Sequence, residues 1–194
     1  MSLQKTSFWL IALTLTAAII AADDNPVVVI ETNFGDIRVE LLPSSSPLTV
    51  ANFLEYVEAD FYQGTIFHRV KKGTMIQGGS FTPGLQQKKT REPIKNEARN
   101  RVKNRKGTIA MARGAGVDTA TAQFFINTRD NRDFDHKGIE PRKFGYAVFG
   151  KVIEGMEVVK VIENIKTTKR NGLRNVPSVP VVIKTVRLVD GVVH

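Results

Sequence analysis

From Val27 onward the chain is a succession of short β-branched runs, each stopped by glycine or a polar turn, and only two stretches carry helical spacing. Strands that short, with turn signals between them, make an antiparallel sheet; a parallel sheet would need a helix after nearly every strand. The runs at 27–32 and 37–42 are joined by Asn33-Phe34-Gly35-Asp36, whose turn chemistry predicts an opening hairpin. Ser46-Pro47 then offers an N-cap and a first helical residue, and Val50, Phe53, Leu54, Val57 and Phe61 follow at helical spacing. Further strands are predicted at 66–70, 75–77, 108–112, 124–128, 146–153 and 181–189, with a second helix after Gly155 that turns Met156, Val159 and Ile162 to one side. Many strands with two helices predict a mainly β fold, a closed antiparallel barrel with the helices covering its ends.

The start of the chain stands apart from that pattern. Lys5 is the only charge before Asp23, and 8–22 is an unbroken run of apolar residues and threonines ending in Ala21-Ala22. Such a run falls short of the ~17–25 residues that span a bilayer comfortably. A basic start, an apolar middle and small residues at the end read as a secretory signal peptide, 1–22, cut after Ala22, with 23–194 as one domain. Ile20 stands where a small residue is preferred, which leaves open a slightly different cut or a retained N-terminal anchor. The chain has no cysteine, which excludes a zinc ribbon, an Fe–S cluster, a thiol nucleophile and a lipid-modified cysteine anchor.

The formal charge is +9, and the excess is local. Between 86 and 106, Lys88, Lys89, Arg91, Lys95, Arg99, Arg101, Lys103, Arg105 and Lys106 meet only Glu92 and Glu97. That window holds no aromatic residue, which argues against a base-stacking nucleic-acid site. It reads as a solvated loop that repels itself, with weak attraction to anionic lipid head groups or acidic chains as the alternative. Over the rest of the mature chain the charges nearly cancel, so the basic balance reads as the property of one loop.

The usual enzyme signatures are missing: there is no P-loop, no dinucleotide fingerprint and no His pair at ligand spacing. His68, His136 and His194 are scattered and read as structural, with no metal site. Ser80 and Ser178 lack a nucleophile elbow. What remains is polar residues placed in or against apolar strands: Arg69 after Phe67-His68, Gln77 before Gly78-Gly79, and Gln123 before Phe124-Phe125. Strand alternation alone would send all three to solvent. The glycine pair permits close backbone approach, and Phe125 offers an aromatic floor beside polar donors.

Five ordered blocks, Phe67-His68-Arg69-Val70, Met75-Ile76-Gln77-Gly78-Gly79 (with Gly73 before it), 107–112, Gln123-Phe124-Phe125-Ile126 and 144–150, resemble the cyclophilins, a family of peptidyl-prolyl cis-trans isomerases, and in detail the periplasmic bacterial branch. The likeness runs from about Val27 to Val189. It implies an eight-stranded closed antiparallel barrel capped by two α-helices, in keeping with the element order. It also implies that Arg69 is the catalytic arginine, that Gln77 bonds the substrate backbone, and that Met75 and Phe125 wall a proline pocket. Ala112 and Gly114 fall where the backbone pairs with a bound peptide, Gln123 lines the same groove, and Tyr146 stands where eukaryotic members often have histidine. Two positions depart from the family. Thr74 replaces a usual pocket phenylalanine, and Asp133 falls where an aromatic residue is common, with Phe134 one place later. Either the loop slips so that Phe134 supplies the ring, or the pocket is more open there; substrate preference and cyclosporin sensitivity hang on that difference.

The implied activity is rotation about Xaa-Pro bonds during the folding of exported proteins, in the periplasm, by a monomer that needs no metal or cofactor. Its partners would be proline-containing unfolded or partly folded polypeptides, with no nucleic acid and no stable membrane insertion once the signal is removed. A weakly active proline-peptide-binding chaperone is the alternative, favoured by Thr74 and Asp133. Mass measurement of the exported protein is expected to place Asp23 at its N-terminus; an intact Met1 contradicts the signal-peptide reading.

Overall fold

The computed structural model describes residues 25–189, so the predicted signal peptide and His194 lie outside the described residues. Strands β1 (Val27–Thr32) and β2 (Gly35–Leu41) form the opening hairpin and are followed by helix α1 (Pro47–Glu58). Then come β3 (Arg69–Lys71), β4 (Met75–Gly78), β5 (Thr108–Met111) and β6 (Phe124–Asn127). A one-turn helix α2 (Pro141–Phe144) precedes β7 (Val148–Glu154), and α3 (Met156–Glu163) leads to a hairpin of β8 (Thr167–Arg170) and β9 (Leu173–Pro177) before the last strand, β10 (Ile183–Leu188).

Eight of the strands form one antiparallel sheet in the order β10-β1-β2-β7-β5-β6-β4-β3. Its inner face carries the main core. Val70, Ile76, Ile126 and Ile109 lie in one transverse row, and α1 adds Phe53, whose ring meets Tyr62, Phe124 and Phe149 with centroids 5.2, 5.7 and 5.1 Å away. Val159 and Ile162 of α3 join the same core, as their spacing predicts. Among the described residues, no helix is long and apolar enough to cross a membrane.

The structure departs from the sequence reading in several places, the one-turn helix α2 among them. The sheet is a curled half-barrel: its ladder ends at β3 and β10, and the seam holds only the bridge Ile66–Val182 with bonds such as Phe67 N to Val181 O at 2.9 Å. The β8–β9 hairpin was not predicted, because β8 has no buried residue and hence no apolar pattern; its signal is Asn171-Gly172, both at positive φ as a tight hairpin turn requires. Ser46 does not cap α1 with its side chain. Its hydroxyl donates instead to Val148 O at 2.7 Å, and the cap comes from Glu97, whose carboxylate accepts from Leu48 N (3.1 Å), Thr49 N (2.8 Å) and the Thr49 hydroxyl (2.7 Å). A carboxylate at a helix N-terminus satisfies otherwise orphaned amides and complements the helix dipole.

The basic segment is largely exposed, in keeping with a solvated loop, and several of its cations also rest on the body of the fold. Lys88 stands 4.8 Å over the Phe61 ring, Arg91 pairs with Glu55 and lies 5.4 Å over Tyr56, and Arg99 lies 5.2 Å over Phe144. Stacking on aromatic rings holds these cations at the surface while their stems cover apolar area. His68 is buried with its ring 4.5 Å from Phe81; burial, then the neighbouring Arg69 charge, holds it down to about 4.

Glu97→Ala is expected to lower the free energy of unfolding by about 1–2 kcal/mol, read from urea titration, since Leu48 N and Thr49 N at the α1 N-terminus lose the carboxylate that accepts from them. His68 gives a pH test. The unfolded chain protonates it near pH 6.5 and the folded chain only near 4, so acid favours unfolding; the stability of the neutral form is complete above about pH 6.5 and is lost as pH falls towards 4. Between about pH 6.5 and 5 stability is expected to fall by roughly 1–2 kcal/mol, and His68→Gln should flatten the difference.

Candidate active site

Strand β6 is buried along its whole length, so it needs cover on both faces. Phe124 and Ile126 enter the main core, while Phe125 points to the other side and heads a second, smaller cluster with Met75, Ala110, Ala112 and Val148. The strand register aligns Arg69, Gln77, Phe125, Ala110 and Val148 across that outer face. Opposed residues of antiparallel strands share a face, so the alternation that was expected to send Arg69 and Gln77 into solvent places them beside an apolar floor.

That floor is incompletely covered, and the gap is a cavity of about 170 Å³ lined by Arg69, Lys71, Met75, Gln77, Ala112, Arg113, Phe125, Phe134 and Tyr146. Phe125, Phe134 and Tyr146 meet edge to face with centroids 5.3–5.5 Å apart. Along the polar side, Arg69 Nη1 donates to Gln77 Oε1 at 3.1 Å, and Gln77 Nε2 donates to Gln123 Oε1 at 2.8 Å. The Arg69 side chain is therefore oriented and yet exposed. Gly78-Gly79 makes this possible: a Cβ on Gly78 would stand 2.8 Å from Ile66 O, and Gly79, at φ +95°, would meet the Phe124 ring at 2.9 Å.

Phe134, one place after the exposed Asp133, supplies the ring. A buried asparagine cluster fixes that choice. Asn131 Nδ2 donates to Thr74 O (2.8 Å) and to Asn127 Oδ1 (2.7 Å), while Asn104 Nδ2 donates to Phe134 O (3.1 Å). The 3-10 turn Arg132–Phe134 is thus held against the sheet with Phe134 inward. Asp133 bonds Lys137 Nζ at 2.8 Å, which with the lysine charge holds its carboxyl below the usual carboxylate range. Thr74 is buried and does not line the cavity; its carbonyl anchors Asn131.

Of the residues singled out in the sequence, Arg69, Met75, Gln77, Ala112, Phe125, Phe134 and Tyr146 meet around the cavity. Gln123 stands behind Gln77, and Gly114 lines the adjoining hollow with Ala115 and Pro141. Ala112 N already donates to Gln123 O and Gly114 N to Thr119 Oγ1, each at 2.9 Å, so what these two residues offer a peptide is carbonyl oxygen. Lys71 and Arg113 were missed. Lys71 was legible as the second residue on from Arg69, hence on the same face; Arg113 was not, because its place depends on the loop it holds. Its guanidinium donates to Gly145 O, Gly114 O, Gly116 O and Pro141 O and lies 5.0 Å over the Tyr146 ring. The near-cancelling charge outside the basic segment therefore hides a cavity whose own lining is cationic.

Residues 27–188 match the family model described as cyclophilin type peptidyl-prolyl cis-trans isomerase. The chain is 45% identical to peptidyl-prolyl cis-trans isomerase A of Dickeya dadantii over 92% of its own length and 93% of that protein's. It is 48% identical to peptidyl-prolyl cis-trans isomerase B of Escherichia coli, covering 82% of this chain and 98% of the relative. The crystal structure of a Cryptosporidium parvum cyclophilin type isomerase superposes with a TM-score of 0.73 at 30% identity, covering 86% of this chain and 99% of that one, and a second crystal structure of it, obtained in the presence of the dipeptide Ala-Pro, gives 0.73 at 29% over 85% and 99%. With a family match over nearly all the described residues and the fold in common, the chain belongs to the cyclophilin-type peptidyl-prolyl cis-trans isomerases.

Proposed function

We propose that the cavity between β3 and the Ala112–Arg113 segment is where an Xaa-Pro bond is rotated, with Arg69 as the catalytic residue. The observation that carries this is the oriented guanidinium beside an aromatic floor: Arg69 held by Gln77 at 3.1 Å, with Met75 and Phe125 lining the same space. Rotation about a prolyl amide meets a barrier of ~18–20 kcal/mol because the nitrogen lone pair is delocalised into the carbonyl. As the bond twists, the nitrogen recovers that lone pair, and a donor placed there stabilises the twisted state more than the planar one. No bond is made or broken, so the chain's task is to bind, orient and donate.

A charged hydrogen bond contributes about 1.5–3 kcal/mol, and each tenfold in rate requires about 1.36 kcal/mol. Arg69 alone therefore supplies about one to two orders of magnitude. The rest is assigned to fixing the proline ring on Met75, Phe125, Phe134 and Tyr146, while Gln77, backed by Gln123, holds one side of the peptide and the Ala112 and Gly114 carbonyls accept from its backbone. The Ala-Pro dipeptide named for the Cryptosporidium structure is a substrate fragment of the kind this cavity would take. The physiological setting we assign is the folding of exported proteins in the periplasm, which rests on the apolar run at 8–22 with its short basic start and on the absence of cysteine, which suits an oxidising compartment.

Arg69→Ala is expected to lower kcat/KM on a short Xaa-Pro peptide by about ten- to a hundredfold, measured by NMR exchange, with the circular dichroism spectrum and urea midpoint close to wild type. Near-normal turnover would remove Arg69 from this role, and a wild type that binds proline peptides without accelerating exchange would favour the chaperone alternative.

A further inference from the structure

The charge of the cavity bears on which proline bonds enter it. Arg69, Lys71 and Arg113 line it, and among the described residues none of the lining side chains is acidic. The cations flank the floor: Arg69 and Lys71 stand on β3, Arg113 follows β5, and β4 and β6 lie between those strands. Nearby carboxylates are already engaged. Glu163 accepts from Gly73 N at 2.8 Å in the turn after Lys71, Asp133 pairs with Lys137 and Glu140 with Lys143. Arg113 donates only to carbonyl groups, and among the described residues Lys71 has no ion pair.

We propose that Lys71 and Arg113 make this groove selective for Xaa-Pro segments that carry a carboxylate on a residue adjoining the proline, a preference that rests on the isomerase reading of the same cavity. Asp133 and Glu140 line the adjoining hollow with Arg113 but are held by Lys137 and Lys143, and neither Lys71 nor Arg113 makes an ion pair among the described residues; two such cations at a partly enclosed site attract a carboxylate and repel a lysine side chain. Both groups remain in reach of solvent, so the preference is several-fold and weakens with salt. Lys71 lines the cavity, whereas Thr74 is buried, bonded through its carbonyl to Asn131, and does not line it.

The test is a set of short peptides with Glu, Ala or Lys immediately before the proline, and a second set with them immediately after it, followed by NMR exchange and by chemical-shift binding titration. The wild type is expected to favour Glu over Ala by about three- to tenfold at one or both positions, with Lys lowest. Raising salt from ~20 to ~500 mM should bring the ratios towards one. Lys71→Glu should reverse the order of Glu and Lys peptides, whereas Lys89→Glu, the same charge change on an exposed residue of the basic segment, should preserve it. Equal efficiency for Glu, Ala and Lys at both positions overturns the proposal, as does an unchanged order in both Lys71→Glu and Arg113→Gln. Absence of exchange with every peptide overturns the isomerase reading, and the binding titrations then decide the charge preference separately.

Discussion

The demand that β6 be covered on both faces organises this molecule. A strand of Phe-Phe-Ile-Asn, buried from end to end, pushes one aromatic ring into the main core and the next out the other side. Each such ring left in water would forgo about 1.5–3 kcal/mol, so the outer face must recruit material from elsewhere in the chain. It draws on Phe134, Tyr146 and Val102, which pack on a smaller cluster beside the main core. The cavity we propose as the active site is the part of that second core left open.

Covering the outer face requires loops to hold still, and polar groups do that work. The asparagines at 104, 127 and 131 bond one another and the backbone of the loops they bind, an arrangement that leaves buried amides satisfied and the aromatic ring aimed. Glu97 acts in the same way between two other parts of the chain. It tethers the most basic stretch of the chain to the start of α1, and the adjacent Asn100 bonds Ser46 and Val148 O. The charge excess is therefore anchored at intervals, with arginine and lysine stems lying on rings of the fold.

Much of this was legible in the sequence. The strand runs and both amphipathic helices follow from periodicity, and the polar positions Arg69 and Gln77 stood out because they interrupt apolar strands. What could not be read shares one cause: it depends on partners distant in the chain. Ser46 has ideal capping chemistry, yet Val148 and Asn100 claim its hydroxyl and a carboxylate 49 residues beyond Leu48 takes its place. Asp133 and Phe134 are adjacent, and only the asparagine bonds to the loop decide which faces inward. Whether the sheet's two edges form a full ladder also depends on curvature, which no local pattern records. The β8–β9 hairpin is the exception, a local signal at Asn171-Gly172 overlooked because its first strand buries nothing.

The strand order has a bearing on how such a chain comes into being. β1 lies between β2, its neighbour in sequence, and β10, the last strand to be made. A polypeptide that emerges from its N-terminus can form the opening hairpin early, but one edge of β1 stays bare until Leu188 has appeared. Contacts that join the two ends of the chain slow folding, and an unpaired edge invites strands from other molecules in the meantime. A protein that speeds a slow step for others thus passes through its own vulnerable interval, one whose length is set by the time taken to deliver the final strand.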